Sequence, residues 1–286
     1  MQTKLTSPLL AGALGLAAVV ALGACDNGGG GNGGGQASPG IDKFNQPGPN
    51  AVRTVSTNGY TLFLGNGSGP KPGLTWANGT GGSPTNYTDI LRRVASFGTQ
   101  VVASNSPQTG NGQAVADGVG VLRGADSTVT TDFCTSGHSQ GGSGSINAAR
   151  IIAQRGTANV RCTIPVQPDN VFTASSNGGD IRGLGLILCG SADGLAPCDI
   201  RGQGANGNGL FNQSQRPTVE ITVVGAGHTG PGSPAGGNNG GLYPALVTAG
   251  IEAAIDGDPA AIAAVASANP DTAQDGRFTL VRSKGF

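Results

Sequence analysis

The sequence predicts an α/β chain: a mostly parallel, twisted sheet with helices on both faces and no large lid. Three observations carry that prediction. Short β-rich segments alternate with helical stripes at the spacing of successive βα units. Two of the segments, Val101–Ala103 and Leu184–Cys189, are continuous apolar runs of the kind found in strands buried on both faces. No long helical insert separates the segments, so neither a lid nor a second core is expected among the 286 residues.

Taken in order, Lys4 precedes an apolar run from Leu9 to Leu22. That run is short for a membrane span and right for a signal-peptide core, which places a signal peptide over residues 1–24. Leu22-Gly23-Ala24-Cys25 has the form of a bacterial lipobox, with Cys25 as the acylated first residue of the mature chain; a plain secretory signal is the alternative. Residues 25–40 are then a Gly-rich tether that cannot bury a core. The folded body runs over 41–286.

Val52–Val55 and Tyr60–Leu64 flank Asn58-Gly59, a hairpin signal. Leu74–Ala77 is a short apolar strand running into the glycine-rich Asn78–Gly82, a loop that presents free backbone N–H groups. Tyr87, Ile90, Leu91, Val94 and Phe97 form a helical stripe stopped by Gly98. After the Val101–Ala103 strand, Gln113–Leu122 reads as a helix weakened by Gly118 and Gly120. Phe133–Ser136 is a strand and Ser143–Gln154 the helix that follows it. Thr163–Val166 is a strand shortened by Pro165, and Leu184–Cys189 and Val219–Val224 are two more. Leu242–Ile255 and Pro259–Ala268 are alanine-rich helices, and Phe278–Val281 closes the chain as an edge strand.

Between the Phe133–Ser136 strand and its helix lies Gly137-His138-Ser139-Gln140-Gly141, of the form G-x-S-x-G, in which a serine stands on a strand-to-helix corner. With 53 glycines present, composition alone produces such a pentapeptide easily, so context must carry it. Ligand sites in open α/β sheets form at the carboxyl ends of the strands. Asn78–Gly81, Ser139, Asp193 and His228 all follow predicted strands directly. A serine nucleophile needs a base, usually an imidazole, and the chain holds two histidines. Strand alternation turns His138 away from Ser139, which leaves His228 as the base. A carboxylate must then hold the imidazole. Asp193, four residues beyond Cys189, has the right position and gives the chain order Ser, Asp, His; Asp169 is the reserve. Glu220 lies inside a strand, where an acid normally faces solvent. The oxyanion donors are expected at the backbone N–H of Gln140, at the start of the helix, and of Thr80 in the glycine loop.

The chain has five cysteines, and four remain if Cys25 carries lipid. In an exported, oxidising setting these read as two disulfides. Three pairings are possible; Cys134 with Cys162 on neighbouring strands, and Cys189 with Cys198 around a short loop, are favoured over buried free thiols. No metal site and no cofactor is expected. Zero formal net charge with 11% charged residues gives no basic surface, so nucleic acid is not an expected partner. The membrane is met through the N-terminal lipid alone, and the protein is expected to be monomeric.

From about Gln46 to about Asp256 the sequence resembles bacterial α/β-hydrolases of the polyester hydrolase and cutinase-like group, which includes poly(ethylene terephthalate) hydrolases. The resemblance rests on Gly137–Gly142, on Leu186-Ile187-Leu188 leading to Ala192-Asp193-Gly194-Leu195-Ala196-Pro197, and on Gly225-Ala226-Gly227-His228. It implies the α/β-hydrolase fold, a Ser139–Asp193–His228 triad, oxyanion donors at Thr80 and Gln140, and hydrolysis of carboxylic or polymeric esters through an acyl-enzyme. Asn78, Gly79, His138 and Phe172 are expected to contact substrate. Members acting on aromatic polyesters carry an aromatic residue at the first oxyanion position and a tryptophan after the strand that follows the elbow helix. Here Thr80 and Gln167-Pro168-Asp169 stand instead, with Phe172 or Trp76 as partial substitutes. Alternatives are a catalytically silent binding lipoprotein on the same fold, or a serine hydrolase of another bond, a peptidase or thioesterase. The expected location is the bacterial cell envelope, periplasmic or cell-surface, with release to the exterior as a variant.

Overall fold

The computed structural model describes residues 39–198, 206–232 and 240–286. The expected signal peptide and the lipidation site Cys25 lie outside the described residues. The described residues form one nine-stranded sheet, in the order β1-β2-β4-β3-β5-β6-β7-β8-β9. The strands are β1 (Val52–Thr57), β2 (Tyr60–Gly65), β3 (Lys71–Ala77), β4 (Gln100–Ser104), β5 (Val129–His138), β6 (Asn159–Val166), β7 (Leu184–Gly190), β8 (Thr218–Val223) and β9 (Phe278–Lys284). Strands β3 to β8 run parallel, while β1, β2 and β9 are antiparallel additions at the two edges. Asn58-Gly59 makes the two-residue turn between β1 and β2, with Thr57 opposite Tyr60 and Gly59 at φ 78°, a value that suits glycine.

The helices are α1 (Pro39–Lys43), α2 (Thr88–Ser96), α3 (Gln113–Ala125), α4 (Gln140–Arg155), α5 (Gly207–Gln213), α6 (Leu242–Ile255) and α7 (Pro259–Val265). They cover both faces, because successive strand residues point to opposite sides. Phe63, Val101 and Ala103 pack with Ile90, Leu91 and Val94 of α2 and Leu246 of α6. Leu62, Leu64, Val102 and Phe133 pack with Val115, Val119 and Leu122 of α3 and Ile152 of α4. Each fully buried aliphatic side chain contributes about 2 kcal/mol of burial. Ile41 and Phe44 are completely buried in the first cluster, so the packed body has begun by residue 41.

Both favoured disulfides are present. Cys134–Cys162 joins directly registered residues of β5 and β6, and Cys189–Cys198 closes the loop that holds Asp193.

Several expectations need correction. Helix α4 starts at Gln140 rather than Ser143, α7 ends at Val265 rather than Ala268, and α1 and α5 are helices that the sequence pattern does not predict. Strand β6 reaches full length because Pro165 sits next to its carboxyl end. Glu220 does not face solvent: it is fully buried in β8, and its carboxylate accepts a hydrogen bond from Arg282 of β9 at 3.2 Å. The guanidinium of Arg282 in turn lies 4.2 Å above the Phe211 ring. The edge strand thus brings a cation to an acid that burial would otherwise penalise heavily.

Candidate active site

Strand β5 ends at His138 and α4 begins at Gln140, so Ser139 alone makes the corner. Its φ of 56° and ψ of −124° lie where non-glycine residues rarely go, at a cost of about 1–3 kcal/mol. The corner forms because Gly137 and Gly141, two residues to either side of Ser139, have no side chains. A Cβ on Gly137 would meet the Gly141 carbonyl oxygen at 2.4 Å, and one on Gly141 would meet the Ala77 oxygen at 2.2 Å. Backbone bonds hold the corner down: Ser139 N–H donates to Val166 O at 3.0 Å, and Ser139 O accepts from the N–H groups of Gly142 at 2.8 Å and Asp169 at 3.0 Å.

Three strand ends then converge. His228, in the loop after β8, places Nε2 2.8 Å from Ser139 Oγ and Nδ1 2.8 Å from Asp193 Oδ2. A carboxylate only accepts, so Nδ1 carries the proton and Nε2 is free to accept from the serine hydroxyl. Asp193 is anchored by its other oxygen, which accepts from Leu195 N–H at 2.9 Å and Ala196 N–H at 2.8 Å. Burial works to raise its pKa. The hydrogen bond and charge interaction with His228 and those two N–H groups overcome this and hold the carboxyl below its usual range. It is therefore an anion in a side-chain site only 1% exposed.

The reserve acid has other work. Asp169 accepts from the N–H groups of Val171, Phe172 and Thr173 at 2.9–3.0 Å and from the Thr173 hydroxyl, which shapes the loop that ends in Phe172. Its carboxyl too lies below the ordinary range: burial pushes it up, and those donors outweigh the burial.

Thr80 and Gln140 come together through a side chain as well as their backbones. Gln140 Nε2 donates to Thr80 Oγ1 at 3.0 Å and to Gln108 Oε1 at 2.9 Å, while its Oε1 accepts from Thr109 and Gly110 N–H. Among the described residues, no protein acceptor takes the backbone N–H of either Thr80 or Gln140. Gly79 runs close beside Ser139, since a Cβ there would lie 3.4 Å from Ser139 Cβ.

Asn78 does not reach the site, contrary to expectation. It is fully buried, its amide donates to the carbonyls of Ser104 and Ser106, and it serves to hold the β3 loop against the β4 loop. His138 borders the cleft but offers a substrate no free nitrogen. Nδ1 lies 2.9 Å from Tyr87 Oη, and Nε2 lies 2.8 Å from His228 O and 3.3 Å from Gln167 Oε1. Burial, followed by the neighbouring His228, lowers its pKa to about 4, so the ring is neutral. Trp76 is fully buried against Tyr87 and takes no part in the surface.

The resulting cleft has a volume of about 940 Å³ and is bordered by Thr80, Ser139, Phe172, Leu195, His228 and Thr229. Phe172 is 73% and Leu195 64% exposed, which gives the rim an apolar residue on each of two loops. In the sequence Leu195 stands two residues after Asp193 and carries no mark of its place on the rim. Beneath the floor, Gln167 donates from Nε2 to Gly227 O at 3.0 Å and to Tyr243 Oη at 2.9 Å, and Tyr243 Oη donates to Cys189 O. Gln167 has a φ of 41° and bears no signal in the sequence that would reveal this role.

Compared with known families and curated proteins, the sequence matches no family model and no curated protein.

Proposed function

We propose that this chain is a serine ester hydrolase with the α/β-hydrolase fold. The observation that carries the reading is the unbroken Ser139–His228–Asp193 chain of hydrogen bonds standing on a strained strand-to-helix corner. Support comes from the Ser, Asp, His order and from an oxyanion pair made by the residue after the nucleophile and the loop after β3, the arrangement of that fold.

In this reading the Ser139 hydroxyl gives its proton to His228 Nε2 as Oγ attacks the ester carbonyl carbon. The carbonyl oxygen becomes an oxyanion facing the N–H groups of Thr80 and Gln140. Collapse expels the alcohol, to whose oxygen His228 returns the proton, and leaves an acyl-Ser139 ester. His228 then takes a proton from water, whose oxygen attacks the acyl carbon, and the second collapse frees the acid and restores the serine. Asp193 holds the imidazole tautomer and balances the imidazolium throughout.

The open cleft and apolar rim support an ester with extended acyl or alcohol groups, in keeping with the polyester hydrolase and cutinase-like resemblance. With Thr80 in place of an aromatic residue and Trp76 in the core, aliphatic esters fit better than terephthalates. The two disulfides agree with an exported, oxidising setting, which supports the signal-peptide and Cys25 lipoprotein reading. The test is hydrolysis of a nitrophenyl ester series, alongside a suspended aliphatic polyester, by wild type and Ser139→Ala. The reading requires turnover by the first and none above background by the second; equal rates refute it.

A further inference from the structure

Ring hydrogen bonds fix both nitrogens of His228, yet its backbone and the backbone of the Thr80 loop must also be held in relation to each other. One continuous chain does this. Gly79 N–H donates to Tyr87 Oη at 3.0 Å, and Tyr87 Oη lies 2.9 Å from His138 Nδ1. His138 Nε2 faces two acceptors, the carbonyl oxygen of His228 at 2.8 Å and Gln167 Oε1 at 3.3 Å. The direction of each bond follows. An atom facing only acceptors must carry the proton, so Nε2–H donates and Nδ1 accepts from the tyrosine hydroxyl, which itself accepts from Gly79.

We propose that Tyr87 and His138 are positioning residues that tie the oxyanion loop to the loop carrying the catalytic base, so that the Thr80 donor and His228 keep one fixed mutual placement. This rests on the ester hydrolase reading. Thr80 is then held from two sides, through Gly79 by Tyr87 and through its own hydroxyl by Gln140. His228 is held by its ring through Asp193 and by its carbonyl through His138. The chain has little slack. Tyr87 is 5% and His138 6% exposed, and a Cβ on Gly79 would press on Tyr87 Oη at 2.9 Å and His138 Nδ1 at 3.1 Å. The His138 and His228 rings are 4.9 Å apart, so a neutral His138 also spares the imidazolium formed during the reaction a like charge beside it.

The test is Tyr87→Phe, which keeps the ring packed on Trp76, 5.0 Å between centroids, and removes the hydroxyl link alone. Misplacement of a catalytic group by about 1 Å costs on the order of 100-fold, so kcat should fall between ~10- and ~100-fold. KM should stay within about twofold, as for an interaction realised in the transition state. The Ki of an alkyl boronic acid, which becomes tetrahedral on Ser139, should rise by the factor that kcat/KM loses. His138→Gln, with a donor near the Nε2 position but no ring acceptor for Tyr87, should behave like Tyr87→Phe, while His138→Leu should lose more than either. An active wild type with wild-type kcat and boronate affinity in folded Tyr87→Phe overturns this proposal alone. A lower Tm with unchanged kcat in the folded protein does the same. A wild type inert to both ester and boronate overturns the esterase reading and this proposal with it.

Discussion

Replacing Asp193 by asparagine should disable the site without disturbing its shape, for a reason visible in the two carboxylate oxygens. Oδ1 faces two N–H donors, those of Leu195 and Ala196, and Oδ2 faces His228 Nδ1. In Asp193→Asn the amide oxygen must take the first place, because an NH2 group there would leave two buried N–H groups unpaired at about 1–3 kcal/mol each. The NH2 group therefore points at His228 and donates, so Nδ1 must accept and the ring proton moves to Nε2. There it faces Ser139 Oγ as a donor and cannot take the serine proton. A tautomer error of this kind costs about 10,000-fold in kcat, equivalent to about 5.4 kcal/mol of transition-state stabilisation. The assay is kcat for a short nitrophenyl ester on protein of verified Tm, with imidazole 15N shifts to read the tautomer; two histidines keep that spectrum simple. A folded Asp193→Asn enzyme within ~10-fold of wild type would refute the reasoning.

The two disulfides should separate activity from stability. Cys189→Ala/Cys198→Ala opens a loop of 9 residues around the acid, costing about 2.5 kcal/mol by chain entropy and activity in greater proportion. Cys134→Ala/Cys162→Ala, spanning 28 residues between central strands, should cost about 3.5 kcal/mol while the remaining folded protein keeps its kcat; urea melts with parallel rate assays decide. Glu252 is pushed up to about 8, chiefly by burial and then by Asp256 and Asp258. Its contribution is complete below an unfolded value of about 4.3 and is lost as pH rises through the folded value. Glu252→Gln should accordingly match wild type in Tm near pH 4 and exceed it near pH 9, and a pH-independent difference would contradict this. Gly120 and Gly124 are exposed helical positions of α3 where a Cβ meets nothing within 4 Å. Changing both to alanine should add about 1–2 kcal/mol to the urea-unfolding free energy, with esterase rates unaltered.

Much of the site was legible because its parts sit at strand ends and few residues compete for each role. With two histidines in the chain, His228 could be singled out as the partner of Ser139 before any geometry, and Asp193 followed from its distance beyond a convincing strand; the structure brings the three side chains together. The start of α4 was not legible, and the reason is physical. Gly141, Gly142 and Gly144 have poor helix propensity and read as loop, yet each sits where a Cβ would strike Ala77 O, Pro168 Cα or Thr109 O at 2.2–2.8 Å. Close approach of backbone to backbone, not propensity, selects them. Glu220 looked like a solvated strand residue because its partner Arg282 lies 62 positions away on an edge strand. Separation in sequence likewise hid the roles of Asn78, Tyr87 and Gln167, which bond to partners 26, 51 and 60 positions away. Helix α5, Gly-Asn-Gly-Leu-Phe-Asn-Gln, has too few apolar positions for a period to show.

Fluorophosphonate labelling followed by peptide mass mapping tests the hydrolase reading most directly, since only an activated serine reacts at useful rates. One adduct per chain is predicted, on the peptide containing Ser139, with esterase activity falling in proportion to labelling and no label in Ser139→Ala. Ester hydrolysis that persists in fully labelled protein, or an adduct on another residue, would contradict it.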